Sequence, residues 1–197
     1  MKAKQPLQAK PMDKDLAILR SALALFAEKG YEATTMPEIA KLANVASGTL
    51  YLYFKNKEEL VNALWKKEKL ELKERLWNSL DPNANYESQL KSLYASYLKF
   101  AIDAPTSFQF LSLHYHFPYL SKENTKIDQE IEEFLFQFLK EGQKKKWVVD
   151  VPPALLLAIL DGGVVGIFKA IQKGSLQANA KNFQSAVAQA WDLIRKK

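Results

Sequence analysis

The chain has 197 residues, enough for one domain or for a small domain fused to a larger one. A hydrophobic share of 48% excludes a mainly disordered chain, and the lack of any cysteine excludes disulfides, thiolate metal sites and thiol nucleophiles. A net charge of +6 favours polyanionic partners, because cations that displace phosphate counterions release them to solution.

In chain order, residues 1–12 carry Lys2, Lys4 and Lys10 but no apolar run of the signal-peptide kind, and are expected to form a disordered basic tail on a cytoplasmic protein. Beyond the tail, helical spacing dominates the chain. Asp13 or Asp15 is positioned to cap a first helix with Ile18, Ala22, Leu25 and Phe26 inward, and Gly30 to stop it. Thr35-Met36-Pro37-Glu38 combines a capping threonine, a first-turn proline and a glutamate that reaches back, so a short helix runs to Ala43. A turn at Asn44 and Val45 leads to a second short helix over Ser47 to Phe54. Asn56 with Glu59 then starts a long helix to about Leu80, roughly 36 Å at 1.5 Å per residue. Such a rod joins two domains, which divides the chain into a helix-turn-helix unit over 13–56 and a larger helical unit over 57–197.

Asp81-Pro82-Asn83 breaks the chain before a helix over Tyr86 to Asp103, and Ala104-Pro105-Thr106 breaks it again. A short aromatic helix over Phe108 to Tyr115 ends at Phe117-Pro118. Amphipathic spacing predicts further helices over Asn124 to Lys146, from Pro152-Pro153 to Ile171, and over Ala178 to Ile194, giving an all-α fold of about nine helices. The apolar stretch from Val151 to Phe168 is interrupted by Asp161, Gly162, Gly163 and Gly166. It is therefore expected to be a buried helix and not a membrane span, and no membrane partner is expected.

Two short helices joined by a tight turn and braced by a preceding helix can insert the second one into a DNA major groove. At about 100° per residue, Leu50 and Phe54 share one face of that second helix, while Gly48, Thr49, Tyr51 and Leu52 take the other. Small residues at its start let the backbone approach DNA, and Tyr51 and Tyr53 offer hydroxyls to phosphates or bases. Lys57 adds a cation. Leu52 cannot hydrogen-bond a base but can touch a thymine methyl.

The run Phe26-Ala27-Glu28-Lys29-Gly30-Tyr31, continued by Ala46-Ser47-Gly48-Thr49-Leu50-Tyr51-Leu52-Tyr53-Phe54-Lys55-Asn56-Lys57-Glu58-Glu59-Leu60, resembles the signature of the TetR family over about Ile18 to Leu64. The resemblance implies that Thr35 and Lys57 anchor phosphates and that Ser47, Gly48, Thr49, Tyr51 and Tyr53 contact DNA. Family members often have a basic residue at Ser47 and a polar or aromatic one at Leu52, so this chain offers few side chains for hydrogen-bonded base readout. The resemblance further implies a divergent C-terminal domain for ligand binding and dimerisation.

Within that domain, Trp65, Tyr94, Tyr97, Phe108, His114, Phe117, Phe134 and Phe138 are the candidates to line a largely apolar pocket for a small-molecule effector. An ordinary aromatic core is the competing reading for each of them. His114 and His116, two positions apart, diverge too far on a helix to chelate one metal. No cofactor, metal or catalytic group is expected. The small and aliphatic Ile159, Gly163, Gly166 and Ile167 on one of the last two helices, and Phe183, Val187 and Trp191 on the other, are expected to form a four-helix homodimer seam. The expected whole is a dimeric repressor that leaves a palindromic operator on binding its effector. A ligand-independent or activating regulator and a helical lipid carrier are the alternatives.

Overall fold

The helix signals translate into nine helices and no strand among the residues described, 11–113 and 119–197, in a computed structural model of the chain. They are α1 (Pro11–Ala33), α2 (Met36–Leu42), α3 (Ser47–Tyr53), α4 (Lys57–Asn78), α5 (Tyr86–Asp103), α6 (Pro105–Leu113), α7 (Lys122–Lys144), α8 (Pro153–Gln172) and α9 (Ala180–Ile194). The all-helical expectation is met. The proposed basic tail lies outside the described residues up to position 10, and positions 11 and 12 are already helical.

Two boundaries differ from the sequence reading for reasons of local chemistry. Because α1 already runs at Pro11, Asp13 and Asp15 lie within the helix and not at its N-cap position. The break expected across Ala104-Pro105-Thr106 shrinks to Ala104, since proline fits the first position of α6, where no amide hydrogen is needed. Gly30 does leave helical geometry, at φ 81° and ψ 172°, and turns the end of α1 toward α2.

Three apolar clusters succeed one another through the chain. The first unites Ile18, Ala22 and Phe26 of α1 with Ile39, Leu50, Leu60, Leu64 and Phe110, and forms the core of an N-terminal head. The second joins Leu72 and Leu76 of α4 to Leu98, Phe100, Phe108, Ile131 and Val164. The third gathers Leu90, Leu139, Val148, Leu156 and Ile194. As the rod length implied, α4 serves two clusters, and its first turns up to Trp65 are part of the head's core.

Polar contacts fix α7 along that rod. Lys66–Glu123 at 2.6 Å, Lys69–Asp128 at 2.5 Å and Lys73–Glu130 at 2.9 Å line the seam; the first and last are largely open to solvent and worth little alone, and Lys69–Asp128 is half-buried. The buried Asn124 matters more: its amide donates to the Asn62 carbonyl at 2.9 Å and to Asn62 Oδ1 at 2.8 Å.

The expectation that the apolar stretch is a buried helix needs correction. It is helical, but only Leu156, Val164 and Phe168 are buried in α8, while Leu155 and Ile159 remain 48% and 38% exposed. Its inner side packs on α5 and α7, and its outer side has no neighbour among the described residues.

Candidate nucleic-acid interface

Local hydrogen bonding shapes the head before any long-range contact does. At the start of α2 the Glu38 amide donates to Thr35 Oγ1, and the Thr35 amide donates back to Glu38 Oε2 at 2.9 Å. Lys29 Nζ holds the other carboxylate oxygen at 2.6 Å. The Lys29 hydrogen bond and then those from Thr35 lower the Glu38 carboxyl to about 2. The helix ends with Asn44 at φ 53°, the Val45 amide donating to the Ala40 carbonyl at 3.0 Å and the Asn44 amide to Lys41 at 3.2 Å. Asparagine tolerates this left-handed conformation, so the turn that aims α3 is written locally.

From that turn α3 projects with Leu50 at 0% and Phe54 at 7% exposure in the head's core. Its other side holds Ser47 and Gly48, both exposed, Tyr51 at 48% and Leu52 at 85%. A Cβ on Gly48 would meet nothing within 4 Å, so the backbone there is open to an approaching surface. Thr49 sits at the margin, half-buried. Tyr53 departs from the outward reading: it is half-buried and packs against the head's core.

Lys57, read from the sequence as a cation for phosphate, has another task. Its ammonium donates to the Tyr31 carbonyl at 2.8 Å, to Thr34 at 3.0 Å and to Glu32 at 3.5 Å, and lies 4.1 Å from the Tyr31 ring centre. Carbonyls of the corner where α1 leaves helical geometry converge on the ammonium, so it pins α4 to the corner before α2. Thr35 is likewise engaged in its capping box, though its residue stays exposed. The sequence signals for Lys57 were its charge and the family resemblance, and charge cannot distinguish a phosphate from a ring of carbonyls.

The residues proposed for an effector pocket are distributed over different neighbourhoods. Trp65 is buried in the head's core. Tyr94, Tyr97, Phe108, Phe134 and Phe138 belong to or pack on the second cluster, whereas His114 and Phe117 lie outside the described residues, as does His116. The rings meet one another: Tyr97–Phe108 centroids are 5.7 Å apart, Phe108–Phe168 4.9 Å and Phe134–Phe138 6.4 Å. Tyr97 donates to Asp161 Oδ1 at 2.6 Å, and burial, then Asp161, push its hydroxyl well above the ordinary tyrosine value. A cleft with about 30 Å³ of room lies apart from these residues, lined by Leu98, Ile102, Ile167, Ile171, Phe183 and Ala186 among others. It suits a water or two, not a drug-sized molecule.

The residues proposed for the dimer seam divide in two. Ile159 and Gly166 are exposed on the outer side of α8. Gly163 faces inward, where a Cβ would lie 2.8 Å from the Tyr94 hydroxyl, and Ile167, Phe183 and Val187 pack on the second cluster while Trp191 packs on the third. Sequence reasoning missed Leu155, Ala158 and Gly162, which continue the outer side from Ile159, and Leu193, 60% exposed on α9. Spacing by three and four from Leu155 was the available signal.

A second set of contacts, also missed, ties the body to the head. On α6, Phe110 stacks 6.2 Å from Phe26 and Gln109 Nε2 donates to the Ala27 carbonyl at 2.8 Å. Beside it Tyr119 stacks 4.4 Å from Tyr31 and its hydroxyl donates to Glu32, while Asn62 Nδ2 donates to the Tyr119 carbonyl at 2.8 Å.

A three-helix head with an open third helix, set on a helical body by a shared rod, defines the class of helix-turn-helix transcription regulators. The chain belongs to the tetR family. Residues 18–64 match the model described as bacterial regulatory proteins of the tetR family, and residues 65–196 match the tetracyclin repressor-like C-terminal domain. The "Fatty acid metabolism regulator protein" of Bacillus subtilis is 37% identical over 90 residues, 46% of this chain and 43% of that one. The "Probable acrEF/envCD operon repressor" of Escherichia coli K12 is 30% identical over 101 residues, 50% of this chain and 46% of that one. The chain thus spans less than half the length of these curated relatives. In fold it is similar along nearly all its length to a TetR family transcription regulator of Marinobacter aquaeolei, with a TM-score of 0.84, 20% identity and coverage of 94% and 97%. The ketosteroid regulator KstR2 of Mycobacterium tuberculosis gives 0.74, 21%, 96% and 98%.

Proposed function

We propose that the protein is a cytoplasmic, homodimeric repressor that holds a palindromic operator through α3 and releases it when its body takes up a small, largely apolar or aromatic effector. The observation that carries this reading is the division of α3 into a core side, Leu50 and Phe54, and an open side, Gly48, Tyr51 and Leu52. Ser47, Gly48, Thr49, Tyr51 and Leu52 form the proposed DNA contact set, with Thr35 at the neighbouring helix start. Lys57 and Tyr53 act by positioning them.

Dimerisation through the outer sides of α8 and α9 supplies the second α3. Two such helices reach successive major grooves about 34 Å apart. The relative named for fatty acid metabolism favours an apolar effector, as does the aromatic second cluster. In that cluster α6 is the coupling element: Phe108 lies in the body and Phe110 in the head's core, so an effector that displaces one shifts the other. Any such coupling is reciprocal, the effector weakening operator binding by the factor with which operator weakens effector binding.

Fluorescence anisotropy on a duplex selected by the full-length protein tests the contact set. Tyr51→Ala is expected to weaken binding by about 1 to 3 kcal/mol. Unchanged affinity would remove α3 from the interface.

A further inference from the structure

Leu52 is 85% exposed, more than any other large apolar side chain among the described residues, while the core beneath it is already filled by Leu50 and Phe54. Folding gains little from leaving it there. Side chains on a helix lean toward its N-terminus, so Leu52 covers the turn that holds Gly48, one turn back, where the backbone is bare. That is the end of a recognition helix that reaches base edges.

Along α3, Ser47-Gly48-Thr49-Leu50-Tyr51-Leu52-Tyr53, no residue is charged and none carries an amide side chain. The helix has neither a guanidinium or ammonium to fork onto guanine nor a side-chain amide to pair with adenine. Of the cations that follow the helix, Lys55 lies beyond its end and Lys57 is spent on the carbonyls of Tyr31, Glu32 and Thr34. An exposed isobutyl group has one apolar complement in the major groove, the 5-methyl group of thymine.

We propose that Leu52 is a specificity-determining residue that packs against thymine 5-methyl groups, so that each operator half-site carries thymine where the start of α3 meets it. Discrimination of thymine from cytosine then comes from a buried methyl, with Tyr51 beside it as the only long polar side chain on the open face of α3. The proposal rests on the operator-binding reading and assigns it a chemical basis.

Duplexes are selected from a random-sequence pool with the full-length wild type and, in parallel, with Leu52→Ala. The wild-type pool should fix thymine at matched positions of both half-sites, and the variant pool should relax those positions. Leu52→Ala should keep the wild-type unfolding midpoint, because the side chain has little contact to lose. In the selected duplex, deoxyuridine in place of each such thymidine removes only the methyl. Wild-type affinity should then fall about fourfold per methyl, the equivalent of about 0.8 kcal/mol for one buried methyl-sized group, and Leu52→Ala affinity should not change. Equal wild-type binding to the uracil duplex, or an equal loss in both proteins, overturns the assignment to Leu52 and leaves operator binding standing. Failure of the wild type to enrich any duplex overturns the operator-binding reading itself.

Discussion

The DNA-facing head and the outer side of α8 and α9 both show apolar residues to solvent, and they do so for different reasons. In the head, Thr35, Glu38 and Lys29 tie down the start of α2, Lys57 reaches back to the end of α1, and the core is closed, while Leu16, Leu42, Tyr51 and Leu52 stand exposed at separate places around it. On the outer side, Leu155, Ile159 and Leu193 stand open on helices whose inner sides are packed. Burying one such side chain is worth about 1.5 to 3 kcal/mol, so a repeated row of them favours a second copy of the chain. The core of the head is therefore complete within one chain, whereas the end of the body leaves an apolar side open to the second copy proposed above.

That contrast can be broken at several points. Phe110→Ala carries the largest expected effect, about 3 to 5 kcal/mol, since it opens a cavity in the head's core from a helix of the body. Guanidinium unfolding should register the loss, and a change below about 1 kcal/mol would show that α6 does not hold the head. Next comes the open side of α8. Leu155→Glu with Ile159→Glu should weaken self-association about a hundredfold or more, some 2.7 kcal/mol, by sedimentation at micromolar concentration. A wild type that is monomeric there would erase the comparison.

Lys57→Ala should cost about 1.5 to 3 kcal/mol in the head, the range for hydrogen bonds to a charged group, and weaken duplex binding through loss of position. Preserved stability with weakened binding would return Lys57 to direct phosphate contact. The smallest effect lies at Glu38. A carboxyl held at about 2 adds stability that is complete above its unfolded value near 4.3 and is lost as pH falls toward 2. Carbon NMR titration should place its midpoint near 2, and Lys29→Ala should raise it.

Where bonding is local, the sequence was easy to interpret. The capping box at Thr35, the turn at Asn44, the Leu50 and Phe54 face and the span of α5 depend on residues within one or two turns of each other. Lys57 was harder, because its carbonyl partners lie 23 to 26 positions earlier. Composition also overstated the pocket: its eight candidate residues share aromatic or histidine character, yet Trp65 falls into the head and several others fill space against one another. On α8 and α9, glycine and aliphatic content identified the helices but not their outer sides. Gly163 answers to Tyr94 of the same chain, and only three-dimensional packing decides which residues remain for a partner.

Hydroxyl-radical footprinting of the full-length protein on its selected duplex tests the central claim most directly. A dimer that presents two α3 helices should protect two patches on one face of the DNA, centred one helical turn of about 10 base pairs apart or a whole multiple of it. A single patch, or protection off that helical phase, would contradict a paired helix-turn-helix reader.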